Sequence, residues 1–187
     1  MNTTSTPQTN ATSLASKKNN GDDFDAAKLI ENWQQVNEQV AQASVQAQRQ
    51  KDEIILLAVS KTKPVEMIAT LARQGQHDFG ENYLQEAIEK IQALRQQPDY
   101  EHIVWHYIGS IQRNKTRDIA EHFDWVQTLE REIIAKRLHE QRPAELPALN
   151  VLIQVNIDNE DSKSGCLPAE LPDLISTIKD YERLQLR

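Results

Sequence analysis

One cysteine, Cys166, in 187 residues excludes an internal disulfide and a cysteine-rich metal site, and so sparse a use of thiols suits a reducing compartment. No apolar run is long enough to span a bilayer. The longest, IILLAV at 54–59, has the length of a buried strand. No dense Lys/Arg block stands out and the formal net charge is −7, which argues against nucleic acid or an anionic membrane as the main partner. The N-terminus lacks the charged-then-apolar pattern of a secretory signal, so the cytoplasm is the expected location. His77, His102, His122 and His139 are isolated and show no metal-ligand spacing. No G-x-G-x-x-G follows the first candidate strand, so the usual dinucleotide fingerprint is missing too.

What is present is a polar head followed by a regular alternation. Residues 1–23 are rich in Thr, Ser, Asn and Gln and nearly free of large apolar side chains. Such a segment buries too little surface to offset its ordering entropy, and a disordered tail is expected. Residues 24–187 are expected to form one domain with a real core. Ile30, Trp33, Val36, Val40, Ala43 and Ala47 recur at helical spacing and predict a long amphipathic helix. Strand patterns then follow at 54–60, 78–81, 103–108, 123–129, 149–157 and 184–187. Helical patterns at 64–73, 83–94, 111–121, 131–140 and 169–179 separate them. That alternation predicts an α/β fold, a parallel sheet wrapped by helices. A barrel and an open doubly wound sheet share the pattern, and the chain offers about six strands where a closed barrel needs eight.

Five segments carry candidate chemistry. In LAVSKTKP at 57–64, strand alternation places Val59, Lys61 and Lys63 on one face at the carboxyl end of a buried strand. Parallel α/β folds place their sites at that end. Schiff-base chemistry needs a neutral amine, and a second ammonium with partial desolvation favours one. Lys61, nearer the strand, is the better candidate; two solvated lysines at a strand end give the same pattern. In residues 149–158, Leu149, Val151, Ile153, Val155 and Ile157 form one apolar face and Asn150, Leu152, Gln154, Asn156 and Asp158 the other. The polar face fits either the ligand-filled mouth of a barrel or the solvated side of an edge strand. His106 in WHYIGS fits a ligand contact or a structural histidine, and Gly109 permits close backbone approach. Asn82 after FGE fits a pocket or a helix cap. Lys163, in the polar loop NEDSKSG at 159–165, fits an anion contact or a solvated loop lysine.

LLAVSKTKP at 56–64, FGENYLQEA at 79–87, WHYIGSIQRNK at 105–115 and LNVLIQVNIDNEDSKSG at 149–165 together resemble the pyridoxal phosphate homeostasis proteins, the YggS/PROSC type, in order and spacing. The resemblance covers everything after the tail. It implies a TIM-type (β/α) barrel like the N-terminal domain of alanine racemase, without that enzyme's second domain. It implies pyridoxal 5′-phosphate as cofactor, with Lys61 as the Schiff-base lysine. Asn82, His106, Asn156 and Lys163 fall in matching motifs and are assigned to the pocket on that basis. The implied role is non-catalytic: binding the cofactor, balancing vitamin B6 and amino-acid pools, and passing the cofactor to apo-enzymes that use it, as a monomer.

Ser110 stands where many relatives carry another residue. Relatives also continue past the position of Arg187 through strands that hold a phosphate cradle, so the barrel is expected to be truncated. If Arg187 is the true end, weak or absent binding, a marginal fold and an exposed strand edge are expected. An amino-acid racemase is the alternative, but two-base racemisation needs a group on each side of the substrate carbanion. Tyr107 lies on the strand face opposite His106. A barrel fragment without a ligand is the third reading.

Overall fold

The computed structural model describes residues 24–160 and 162–187. The tail expected at 1–23 lies outside them. Asp25 opens the first helix, α1 (Ala26–Gln46): its carboxylate accepts a hydrogen bond from the Lys28 N–H at 3.0 Å, supplying one of the partners that a helix start lacks. The helix packs on α2 (Val65–Arg73). A buried amide ties it to the sheet. Gln76 accepts from Trp33 Nε1 at 2.8 Å and donates to the carbonyls of Leu56 and Asp78 at 2.7 Å each.

The remaining elements alternate as the patterns predict: β1 (Ala58–Val59), β2 (Asp78–Glu81), α3 (Leu84–Arg95), β3 (Val104–Tyr107), α4 (Thr116–His122), β4 (Trp125–Leu129), α5 (Glu132–Gln141), β5 (Leu149–Ile153), α6 (Leu171–Lys179) and β6 (Leu184–Leu186). All six strands form one parallel sheet in chain order, β1-β2-β3-β4-β5-β6. A doubly wound sheet reverses direction at a switch point, whereas steady winding one way is the barrel arrangement. The order therefore decides between the two architectures. β5 pairs on both sides, so its polar face does not belong to an edge strand.

Register assigns the faces. Phe79 pairs with Trp105, Tyr107 with Val126 and Val126 with Val151, all buried, and these side chains meet the helices in the core. The other row runs Val59, Gly80, His106, Trp125, Asn150 across the inner face. At the opposite end from the strand carboxyl termini, Arg142 closes α4: its guanidinium donates to Ala120 O, Phe123 O and Pro147 O at 2.6, 2.7 and 2.8 Å. That satisfies carbonyls which the end of a helix leaves without partners. Arg183 donates to Pro143 O and Leu146 O in the loop that follows α5.

Three elements differ from the sequence reading. The strand expected over 54–60 forms a ladder only at Ala58–Val59, and Ile54 and Ile55 are 36% and 58% exposed. Among the described residues β1 pairs only with β2. The strand expected to reach 157 ends at Ile153; Val155 keeps one isolated bridge to Cys166, and Ile157 is 78% exposed. The helix expected over 111–121 begins as a single 3-10 turn, Arg113–Lys115, before α4.

Trp105 is 1% exposed and its ring lies 6.1 Å from that of Phe79. Trp105→Ala is expected to cost about 3–5 kcal/mol, read as a lower urea midpoint with little change in slope. A midpoint equal to that of the parent would contradict this packing.

Candidate functional site

The candidate site lies where the first three strands end. Ser60 N–H donates to Gly80 O at 2.9 Å, carrying the β1–β2 register one residue past the strand and bringing Lys61 level with Asn82. Ile108 N–H donates to Glu81 O at 2.9 Å, so the third strand reaches the same level. Lys61 is exposed there. Beyond it the chain turns: Lys63 N–H donates to Ser60 O at 3.1 Å, and Thr62 adopts φ +62°. This corrects the expectation that Lys61 and Lys63 share a strand face. Alternation stops at Ser60 because a tight turn replaces the strand.

Asn82 does not cap α3, whose N-cap is Tyr83 without a side-chain hydrogen bond. Its Oδ1 is buried without a hydrogen-bond partner. A buried carbonyl oxygen in that condition is an acceptor waiting for a donor. The β3–α4 loop presses on the backbone of Asn82, not on that side-chain oxygen. A Cβ built on Gly109 would fall 2.2 Å from Asn82 O, so only glycine permits the approach. Thr128 Oγ1 fixes that loop by donating to Gly109 O at 2.6 Å.

His106 lies two residues below Ile108, one side-chain layer or about 7 Å deeper. Its Nε2 is 2.9 Å from Asp78 Oδ1 and its Nδ1 is 3.0 Å from Gln127 Nε2. The ring stacks on Trp125 with centroids 5.3 Å apart. Because the Gln127 amide is a donor, this network assigns a neutral ring a proton on Nε2, directed at Asp78. Both nitrogens are thus engaged within the sheet. Tyr107 points the other way: its hydroxyl donates to Ser110 O at 3.0 Å, its ring meets Phe123 edge-on, and burial raises its pKa above the ordinary value.

On the helix side of the same level is a cluster that sequence reasoning missed. Lys90 Nζ donates to Ser60 O, Glu81 Oε1 and Glu86 Oε1 at 2.8, 2.8 and 2.5 Å. Glu81 Oε1 also accepts from Ser60 Oγ at 2.7 Å, and Glu86 Oε1 from Thr62 N–H at 2.7 Å. The Lys90 and Glu81 side chains are 8% and 0% exposed. The available signal was Glu86 four residues before Lys90, a spacing that also describes an ordinary surface pair on a helix.

Asn156 and Lys163 sit beyond β5, two strands further round than β3. Asn156 Nδ2 donates to Glu160 O at 2.9 Å and its Oδ1 accepts from Glu160 N–H at 3.2 Å, so the side chain shapes its own loop. Lys163 is exposed on that loop. Gly165, at φ +127°, would place a Cβ 2.7 Å from Asn156 N and closes the loop against the strand. The polar face of β5 is likewise engaged: Gln154 Nε2 donates to Ser164 O, and Asn150 Oδ1 accepts from Arg187 Nε. The structure therefore brings Lys61 and Asn82 together, with His106 a layer beneath and Asn156 and Lys163 across the sheet. Among the described residues no three His, Cys, Asp or Glu side chains gather as a metal site.

Gly109→Ala is expected to destabilise the chain by about 1–3 kcal/mol through overpacking, lowering Tm by roughly 2–4 °C per kcal/mol. Unchanged melting would show that the loop does not press on Asn82.

The sequence pattern of the family described as alanine racemase, N-terminal domain, matches residues 24–187. The chain is 49% identical over 159 residues to the pyridoxal phosphate homeostasis protein of Escherichia coli strain K12, covering 85% of this chain and 68% of that protein. To the protein of the same name from Pasteurella multocida strain Pm70 it is 51% identical over 159 residues, covering 85% and 67%. The solved structure of PipY from Synechococcus elongatus PCC7942 with PLP bound matches with a TM-score of 0.64 at 32% identity, covering 79% of this chain and 68% of that one. The chain thus spans about two thirds of the length of these relatives. With the family pattern, near-half identity and the barrel strand order in agreement, this chain belongs to the alanine racemase N-terminal domain family and, within it, to the pyridoxal phosphate homeostasis proteins.

Proposed function

We propose that the chain binds pyridoxal 5′-phosphate at the carboxyl ends of β1 and β2, with Lys61 as covalent anchor, and serves cofactor homeostasis rather than catalysis. The observation that carries this reading is the pairing at one level of an exposed primary amine, Lys61, with a buried oxygen lacking any donor, Asn82 Oδ1. The cofactor brings an aldehyde that condenses with primary amines, on a ring with polar substituents. Lys61 supplies the amine and Asn82 an acceptor. His106, locked between Asp78 and Gln127, forms a polar floor one layer down. Asn156 shapes the loop that offers Lys163 to an anionic substituent.

Support for a homeostatic role comes from the relatives being pyridoxal phosphate homeostasis proteins and from the cofactor bound in PipY. An amino-acid racemase needs a second acid/base facing the bound ligand. Tyr107, the residue considered for it, is turned into the helix layer. Conversion of L-alanine or L-serine to the D-form by the purified chain would favour the enzyme reading instead. The proposal extends to a monomer in the cytoplasm that passes cofactor to apo-enzymes, without nucleic acid or membrane as a partner. The net charge of −7 agrees with it, and no helix of the described residues is long and apolar enough to cross a membrane.

Titration with pyridoxal phosphate, borohydride reduction and peptide mass spectrometry test the anchor. The expected label sits on Lys61, and Lys61→Ala is expected to abolish it while the fold stays intact. Reduced label on Lys63 or elsewhere in the parent chain would refute the assignment.

A further inference from the structure

We propose that Glu86 and Lys90 of α3 form a positioning clamp that fixes the direction in which the Lys61 amine leaves β1, an inference that rests on the reading of Lys61 as cofactor anchor. Only two peptide planes flank the Lys61 Cα. The carbonyl of the first is Ser60 O, which accepts from Lys90 Nζ at 2.8 Å. The amide of the second is Thr62 N–H, which donates to Glu86 Oε1 at 2.7 Å. Lys90 and Glu86 are themselves joined at 2.5 Å. One ion pair on one rigid helix therefore holds both planes, and with them the φ and ψ of Lys61. With those two angles set, the Cα–Cβ direction of Lys61 is set as well.

The turn has a reason to need holding. Thr62 has φ +62°, where a β-branched residue is a true outlier, and such backbone persists only when the surroundings over-determine it. Glu86 meets the amide of that very residue. The clamp is anchored from below by Glu81, whose Oε1 accepts from both Lys90 Nζ and Ser60 Oγ. Its other oxygen is buried without a partner. A buried ion pair of this kind is a poor device for net stability, because desolvation offsets much of the Coulomb gain. Its demonstrable product here is one backbone conformation at Lys61. Among the clamp bonds none reaches the side chain of Lys63, which follows the turn.

The Lys90→Met chain risks failing to fold, since it strands Glu81 in the interior. Glu86, with 32% of its side chain exposed, gives the cleaner variants. Glu86→Ala removes the acceptor for Thr62, while Glu86→Gln keeps a side-chain oxygen there. The 187-residue chain and both variants are reductively methylated with formaldehyde, an aldehyde that offers no ring or phosphate to be recognised. The Lys61:Lys63 labelling ratio is then read by peptide mass spectrometry. Glu86→Ala is expected to move the ratio to that of an isolated 56–64 peptide, and Glu86→Gln to keep the parent ratio. In parallel, trapping of pyridoxal phosphate at Lys61 is expected to slow by on the order of tenfold in Glu86→Ala alone, the penalty of a misdirected reacting group. A parent-like formaldehyde ratio in Glu86→Ala overturns the clamp, as does a Gln variant that behaves like Ala. Failure of the parent to take pyridoxal phosphate at Lys61 overturns the cofactor reading alone, because the formaldehyde ratio still decides the clamp.

Discussion

The packing of one side of a parallel sheet against helices governs everything placed on the other side. Phe79, Trp105, Val126 and Val151 are buried against the helix layer, and each is locked in register with a neighbour across the sheet. Side chains alternate with a period of two, so a slip by one residue would exchange the two faces completely. His106 would then meet the helices and Trp105 the barrel interior. The apolar contacts of the helix side thus hold the polar groups of the inner side in place, although they touch none of them. The same alternation keeps Tyr107 away from the inner face while leaving its neighbour His106 there.

Two polar networks flank this sheet, one on each face, and they solve the same problem differently. On the inner face Asp78, His106 and Gln127 satisfy one another with a single ionised carboxylate at most beside a stacked aromatic ring. On the helix side Glu81 and Lys90 pair almost without solvent, and Glu86 joins them from a partly exposed position. Desolvation makes such groups costly unless every proton has an acceptor. The three protons of the Lys90 ammonium find three oxygens, one of them from the backbone. Polar burial here is tolerated because both networks are nearly complete, the exception being Glu81 Oε2.

Much of this architecture was legible in the residues themselves. Period-two apolar faces and helical spacing marked every strand and helix, because burial on one side writes directly into the pattern. Strand order was not legible, since winding in one direction and winding in two share the same alternation; pairing in space settled it. The ends of β1 and β5 were misjudged for a related reason. Apolar character at Ile54, Ile55 and Ile157 reads as burial, but whether a neighbour covers such a residue is decided elsewhere in the chain. At the candidate site, the placement of Lys61 and Asn82 where strands end was legible. The turn that separates Lys61 from Lys63 was not, because Thr62 is a residue that ordinarily avoids a positive φ. The partners of Lys90 were hidden for the same reason as the strand order: 30 residues separate it from the Ser60 carbonyl it holds.

The single bond between Trp33 and Gln76 gives the amino-terminal helix an unexpected reach. Gln76 is 4% exposed and its amide nitrogen grips the backbone on both sides of the gap between β1 and β2. Detaching α1 would remove that donor from the Gln76 oxygen, a loss of about 0.5–1.5 kcal/mol, at the root of the strand that leads to Lys61. Proteolytic trimming at the start of the domain would therefore be felt at the far end of a two-residue strand, as faster amide exchange around Ser60. The helix that contributes no side chain to the mouth is, mechanically, its first hinge post.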